Sequence, residues 1–240
     1  MAELLLDVGN SRTKAVLHQA GQLTLLADHH AETLKNYKID AVFCASVANG
    51  DRIESVRQES ALVTQPWCQI SSEAEKKGLK NQYQQPALLG VDRWLAMLGA
   101  RELHPAMDLL VIDAGTALTL DWLRADGQHL GGWIIPGFRL QQQAVIGHTA
   151  KVFNNSMKNA ELQIGTETSA CLQNGCLAAA VAVVKQAMLL QSVPQIVLTG
   201  GDASLMLPYL TEFNCQLDPL LIFRGLSLYI DENCRNGDFS

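Results

Sequence analysis

Apolar runs closed by small and polar residues recur along this chain, and they set out its elements. "LLLDVGNSRTK", residues 4–14, predicts a buried strand over 4–8 that stops at an Asp-x-Gly turn. "TKAVLHQAGQLTLLADH" follows as two strand-like stretches turning near Gly21, the pattern of a hairpin. "ETLKNY" predicts a short helix, "DAVFCASVA" a second apolar strand, "DRIESVRQES" a helix and "ALVTQ" a further strand. From Asp92 onward, Trp94, Leu95, Leu98 and Leu103 fall on one helical face, and Pro105 ends that helix.

The second half repeats the order. "LLVIDAGTALTLD", residues 109–121, is again an apolar strand closed by Asp, a small residue, Gly and a hydroxyl. "LTLDWLRADGQHLGGWI" predicts a hairpin turning at Asp126-Gly127. A long apolar-faced helix is expected over Glu167–Gln191, with Gly165 and Thr166 as its cap, and "QIVLTGGDA" then reads as a strand running into two glycines. One Asp-x-Gly is an ordinary turn. Two, each after an apolar strand and before a hairpin, indicate a duplicated α/β unit. The expected halves are 1–105 and 106–240, with a ligand cleft between their strand-end turns.

Composition narrows the class. The chain has 240 residues, is 48% hydrophobic and carries a net charge of −6, which suits a large buried core and argues against a nucleic-acid partner. "MAELLLDV" lacks the features of a signal peptide, and no apolar stretch is expected to span a bilayer, since Cys171–Leu190 carries Gln173, Asn174, Lys185 and Gln186. The expectation is a cytoplasmic protein with no membrane partner and reduced thiols. Its six cysteines form no C-x-x-C pair and its histidines show no ligand spacing; His29-His30 reads as surface and "EAEKK" as a solvated helix face. Ala and Val on several sides of the 167–191 helix suggest burial against the core and a second subunit.

The chemistry gathers in a few motifs. In "DVGNSRTK", Gly9 permits close backbone approach, the turn amides with Asn10 and Ser11 suit phosphate oxygens, and Lys14 adds a point charge. Asp7 suits Mg²⁺ held through water, and Asp113 with Thr116 offers the same hardware in the second half. Neither turn is a G-x-x-x-x-G-K-[ST] or G-x-G-x-x-G loop. In "GVDRW", Asp92 is either a helix N-cap or a proton acceptor for an attacking hydroxyl, with Arg93 taking an anionic substrate. In "LTGGDA", the glycines admit an adenine or ribose, or the segment is a plain turn capped by Asp202 or Ser204.

Taken in order, "DVGNSRTK", "GVDRW", "DAGTALTLD", "GGWIIPG", "GTETSACLQNG" and "TGGDA" resemble the type III pantothenate kinases over nearly the whole chain. The resemblance implies duplicated actin-like (ribonuclease H-like) domains, each a mixed sheet flanked by helices, with the active site in the cleft between them. It implies ATP-dependent phosphorylation of pantothenate to 4'-phosphopantothenate, at the start of coenzyme A biosynthesis. ATP binding then falls to Asp7, Val8, Gly9, Asn10, Ser11, Arg12, Thr13, Lys14 and Thr116. Asp92 is implied as the proton acceptor, and Tyr83, Gly90, Val91, Asp92, Arg93 and Thr168 as pantothenate contacts. Asp113 becomes the ligand of a monovalent cation, K⁺ or NH₄⁺, required together with Mg²⁺, and the protein is expected to be a homodimer. Ser11 stands where a threonine is common in the family, a change that keeps the hydroxyl. The alternatives are a catalytically weak nucleotide-binding regulatory protein of the same fold, and a kinase for another small alcohol.

Overall fold

The computed structural model describes residues 2–9, 12–47, 50–146 and 160–230. Its first sheet contains β1 (Ala2–Val8), β2 (Thr13–Gln19), β3 (Gln22–Leu25), β4 (Ala41–Ser46) and β5 (Trp67–Ile70), in the order β3-β2-β1-β4-β5. β1 runs antiparallel to β2 and parallel to β4. Leu4, Leu5 and Leu6 are all fully buried, so both faces of β1 are covered and its run of leucines is continuous rather than alternating. α1 (Ala31–Leu34) and α2 (Gly50–Ser60) cover one face, where Leu34 and Val56 join Leu4, Leu6, Val42 and Cys44 in one core.

Two expectations fail here for local reasons. Residues 61–65 are not a strand: Ala61 is left-handed at φ 56°, Pro66 has no N–H, and pairing with β4 begins only at Trp67. "EAEKK" is not a helix face. It holds β6 (Glu75–Lys76), which pairs with β7 (Leu79–Lys80) around Lys77-Gly78, at φ 48° and 74°, the pair of positive φ values that a tight hairpin turn demands. Lys76 is buried, its ammonium 3.9 Å from the centre of the Tyr229 ring. α3 (Val91–Leu103) follows and ends just before Pro105, as its sequence predicts.

The second sheet repeats the first. β8 (Leu109–Ala114), β9 (Ala117–Leu123), β10 (His129–Pro136), β11 (Gln195–Thr199) and β12 (Cys215–Leu217) lie in the order β10-β9-β8-β11-β12. α4 (Phe138–Ile146), α5 (Thr168–Leu190) and α6 (Ala203–Met206) belong to this unit. Leu177, Val181 and Val184 of α5 pack in one core with Leu110, Ile112, Leu120 and Leu198. The cap of α5 is not Gly165 or Thr166 but Glu167, which makes no side-chain capping bond. α5 is also, by length and composition alone, apolar enough to cross a membrane, contrary to the expectation from its polar residues; half of its most apolar window is buried within the fold.

The chain divides into two compact units, Met1–Pro105 with Leu220–Ser240, and Ala106–Pro219. The break falls at 105/106, but the second unit does not run over the expected 106–240: it ends at Pro219, and α7 (Leu221–Ser227) returns to the first unit. Two glycines make that return possible. A Cβ on Gly99 of α3 would stand 2.2 Å from the Leu221 carbonyl oxygen, and one on Gly225 of α7 would stand 2.0 Å from that of Leu95. The helices therefore meet backbone to backbone, and Trp94 Nε1 donates to Tyr229 Oη at 2.9 Å beside the crossing. None of the described cysteines forms a disulfide; Cys234 lies outside the described residues.

Candidate active site

The first turn follows β1. Gly9 N–H donates to the Arg12 carbonyl at 3.0 Å, and a Cβ at Gly9 would come to 3.1 Å of the same oxygen, so the turn is too tight to take a larger residue without shifting. Val8 is buried, Arg12 is exposed, and Thr13 and Lys14 are half-buried at the start of β2. Asn10 and Ser11 lie outside the described residues. Strand register sets Lys14 opposite Asp7. Burial raises the Asp7 carboxyl from 3.8 to about 6; Lys14 pulls it back, and the Asp92 carboxylate pushes it up. That repulsion marks two acids, distant in the sequence, that the fold sets near each other.

Asp92 stands at the second position of α3, with Gly90 as the N-cap, so the alternative that Asp92 caps the helix falls. Its Oδ1 accepts the Arg93 backbone N–H at 2.8 Å, and a carboxylate in a first helical turn is favoured by the helix dipole. A Cβ on Gly90 would lie 2.6 Å from Asp92 Oδ1. The residue before Val91 must therefore be glycine for that carboxylate to hold its place. Arg93 is buried and its Nη1 donates to Tyr83 Oη at 3.0 Å. Tyr83, Gly90, Val91, Asp92 and Arg93 thus form one local group in the first unit.

The second turn copies the first. Gly115 N–H donates to the Ala117 carbonyl at 3.0 Å, as Gly9 does to Arg12. Asp113 is half-buried at the end of β8, and Thr116 is exposed. Gly200, at φ 95°, approaches so closely that a Cβ there would be 2.4 Å from both Asp113 Oδ1 and the Ala114 carbonyl oxygen. Gly137, at the end of β10, is as constrained: a Cβ would stand 2.1 Å from the Gly115 carbonyl oxygen. Asp202 donates its N–H to the Ala114 carbonyl at 3.0 Å, and its carboxyl is raised by burial and partly restored by Arg139. It is the N-cap residue of α6 but makes no side-chain capping bond there. Thr168 opens α5 and is exposed. Gly137 and Asp202 lie in the motifs "GGWIIPG" and "LTGGDA" without standing among the expected site residues, and Arg139 has no sequence signal.

Two sheets of one strand order, each ending its first strand in an acid before a Gly turn, define a duplicated actin-like α/β protein. A structure from Campylobacter jejuni, described as a Baf family transcriptional activator, shares this fold at a TM-score of 0.63, with 24% identity over 97% of this chain and 99% of its own. The family model for type III pantothenate kinase matches residues 3–189. Relatives of that name from Colwellia psychrerythraea and Pseudoalteromonas translucida are 36% and 34% identical, covering 94% and 96% of this chain and 99% and 98% of their own. The chain belongs to the type III pantothenate kinase family. It is a kinase of that family, a class that works on ATP with a divalent metal.

Proposed function

We propose that the protein transfers the terminal phosphoryl group of ATP to a hydroxyl of pantothenate, giving 4'-phosphopantothenate and ADP at the start of coenzyme A biosynthesis. The observation that carries this reading is the Asp92 group: a carboxylate set by a helix start, near enough to Asp7 to raise its pKa, beside the buried Arg93–Tyr83 pair.

Phosphoryl transfer needs positioning and charge neutralisation more than covalent help from the protein. The turn amides after β1, with Lys14 and the hydroxyl of Thr13, bind phosphate oxygens; Thr116 is a further contact to ATP. Asp92 accepts the proton of the pantothenate hydroxyl as its oxygen bonds to phosphorus and the bond to ADP breaks. Arg93, held by Tyr83, orients polar groups of pantothenate, with Gly90, Val91 and Thr168 as neighbours of the substrate. The high pKa of Asp7 reports a carboxylate whose charge the protein only partly offsets, which fits a nearby Mg²⁺ held through water. When bound, Mg²⁺ offsets the negative charge of the phosphate oxygens. Asp113 and the Ala114 carbonyl supply oxygen donors that suit a hard monovalent cation, K⁺ or NH₄⁺, and Gly200 leaves them room. The protein works as a cytoplasmic homodimer.

The test is Asp92→Asn. The variant is expected to bind ATP and pantothenate with near-normal affinity and to lose kcat by at least about 100-fold, since a general base acts in the transition state. Near-full kcat would reduce Asp92 to a structural acid.

A further inference from the structure

The loop before α1 brings three metal-ligating side chains together away from the turns already described. His29 Nε2 lies 2.7 Å from Glu59 Oε2. The His29 and His30 rings stack at 4.6 Å between centroids and 29° between planes. Neighbours in extended chain send side chains to opposite sides. Here both imidazoles face one way, and the ligand atoms of His29, His30 and Glu59 all lie within 4.8 Å of one another. The expectation that this histidine pair is surface fails for His29, which is buried; His30 is exposed.

The surroundings hold the three in place. Asp28 Oδ1 accepts the His30 backbone N–H at 2.9 Å and so fixes the loop. Glu59 Oε1 accepts from Ser55 Oγ at 2.6 Å and Arg52 Nη1 at 3.2 Å, which leaves Oε2 turned towards the imidazoles. Arg52 also donates to Thr13 Oγ1 at 3.2 Å. The cluster is therefore tied to the strand that leaves the first turn.

We propose that His29, His30 and Glu59 form a binding site for a borderline divalent transition-metal ion such as Zn²⁺, Ni²⁺ or Co²⁺. Two imidazoles and one carboxylate are the donor set that favours these ions over Mg²⁺, which prefers oxygen and water. The ion takes the place of the hydrogen between Nε2 and Oε2, and the neutral His29 ring, ligating through Nε2, carries its one proton on Nδ1. The exposed His30 side leaves a position for water. Bound there, the ion fastens the loop before α1 to the last turn of α2.

The test uses the full chain without any histidine tag, in excess Mg²⁺. Titration with Co²⁺ is expected to give a visible ligand-field band that saturates at one equivalent. Saturating Zn²⁺ is expected to raise Tm by about 5 °C, because only the folded chain presents the three ligands. His30→Ala and Glu59→Gln are each expected to lose the band and the shift. Because His30 is exposed, its variant keeps the fold, which circular dichroism checks. No band in the native chain, or the same band and Tm shift in both variants, overturns the site.

Discussion

Asp7 carries a charge that the fold disfavours and the proposed chemistry uses. Its carboxyl titrates at about 6 in the folded protein against 3.8 for the free group. The folded state therefore holds the extra proton between those values, and stability contributed by that proton is lost as pH rises through the window. Above about pH 6 the full cost is present; below about pH 4 there is none. Asp7→Asn is expected to stabilise the ligand-free protein by about 1–3 kcal/mol at pH 8, and by much less near pH 4.5. Urea unfolding at the two pH values checks this, and an equal gain at both would show that burial of the charge is not the cause. Asp113 makes a second case at the same scale. If it holds the monovalent cation, replacing K⁺ by Na⁺ raises the KM for ATP severalfold. Steady-state kinetics in the two salts decide it, and unchanged KM removes Asp113 from that role.

At the scale of elements, α5 has two faces. Leu177, Val181 and Val184 are buried in the second core, while Ala178, Ala179 and Ala182 lie exposed along the helix and Leu189 is 80% exposed near its end. Small residues let a second copy approach closely, and this is the face that the proposed homodimer would use. Sedimentation equilibrium is expected to give twice the 26.2 kDa chain mass, and Ala179→Glu to shift the protein to the chain mass. A native monomer would leave this face without the partner assigned to it. The strong elements were legible because buried strands and amphipathic helices leave long periodic signals: β1, β4, β8, α3 and α5 all fall where the pattern puts them. Short elements were not. β6 and β7 are two residues each, and their turn depends on positive φ at Lys77 as well as Gly78, which lysine does not advertise. His29 is buried and bonded to Glu59, a partner thirty residues away that no local pattern reveals.

At the scale of the whole molecule, duplication was the most legible feature, because the same Asp-x-Gly turn follows β1 and β8 and the same hairpin follows each turn. The return of α7 to the first unit was not, since it depends on tertiary contacts, the close approach of α3 and α7 at Gly99 and Gly225 and the bond of Trp94 to Tyr229. The site divides the same way: the turns and Asp92 stand out as motifs, whereas Arg139 and the pairing of Arg93 with Tyr83 depend on tertiary placement. The proposed function rests on one reaction. Its most direct test is ADP release by the purified protein with ATP, Mg²⁺ and K⁺, measured with and without pantothenate. The expected result is release that depends on pantothenate and matches the 4'-phosphopantothenate formed. Bound ATP with no pantothenate-dependent release would contradict it.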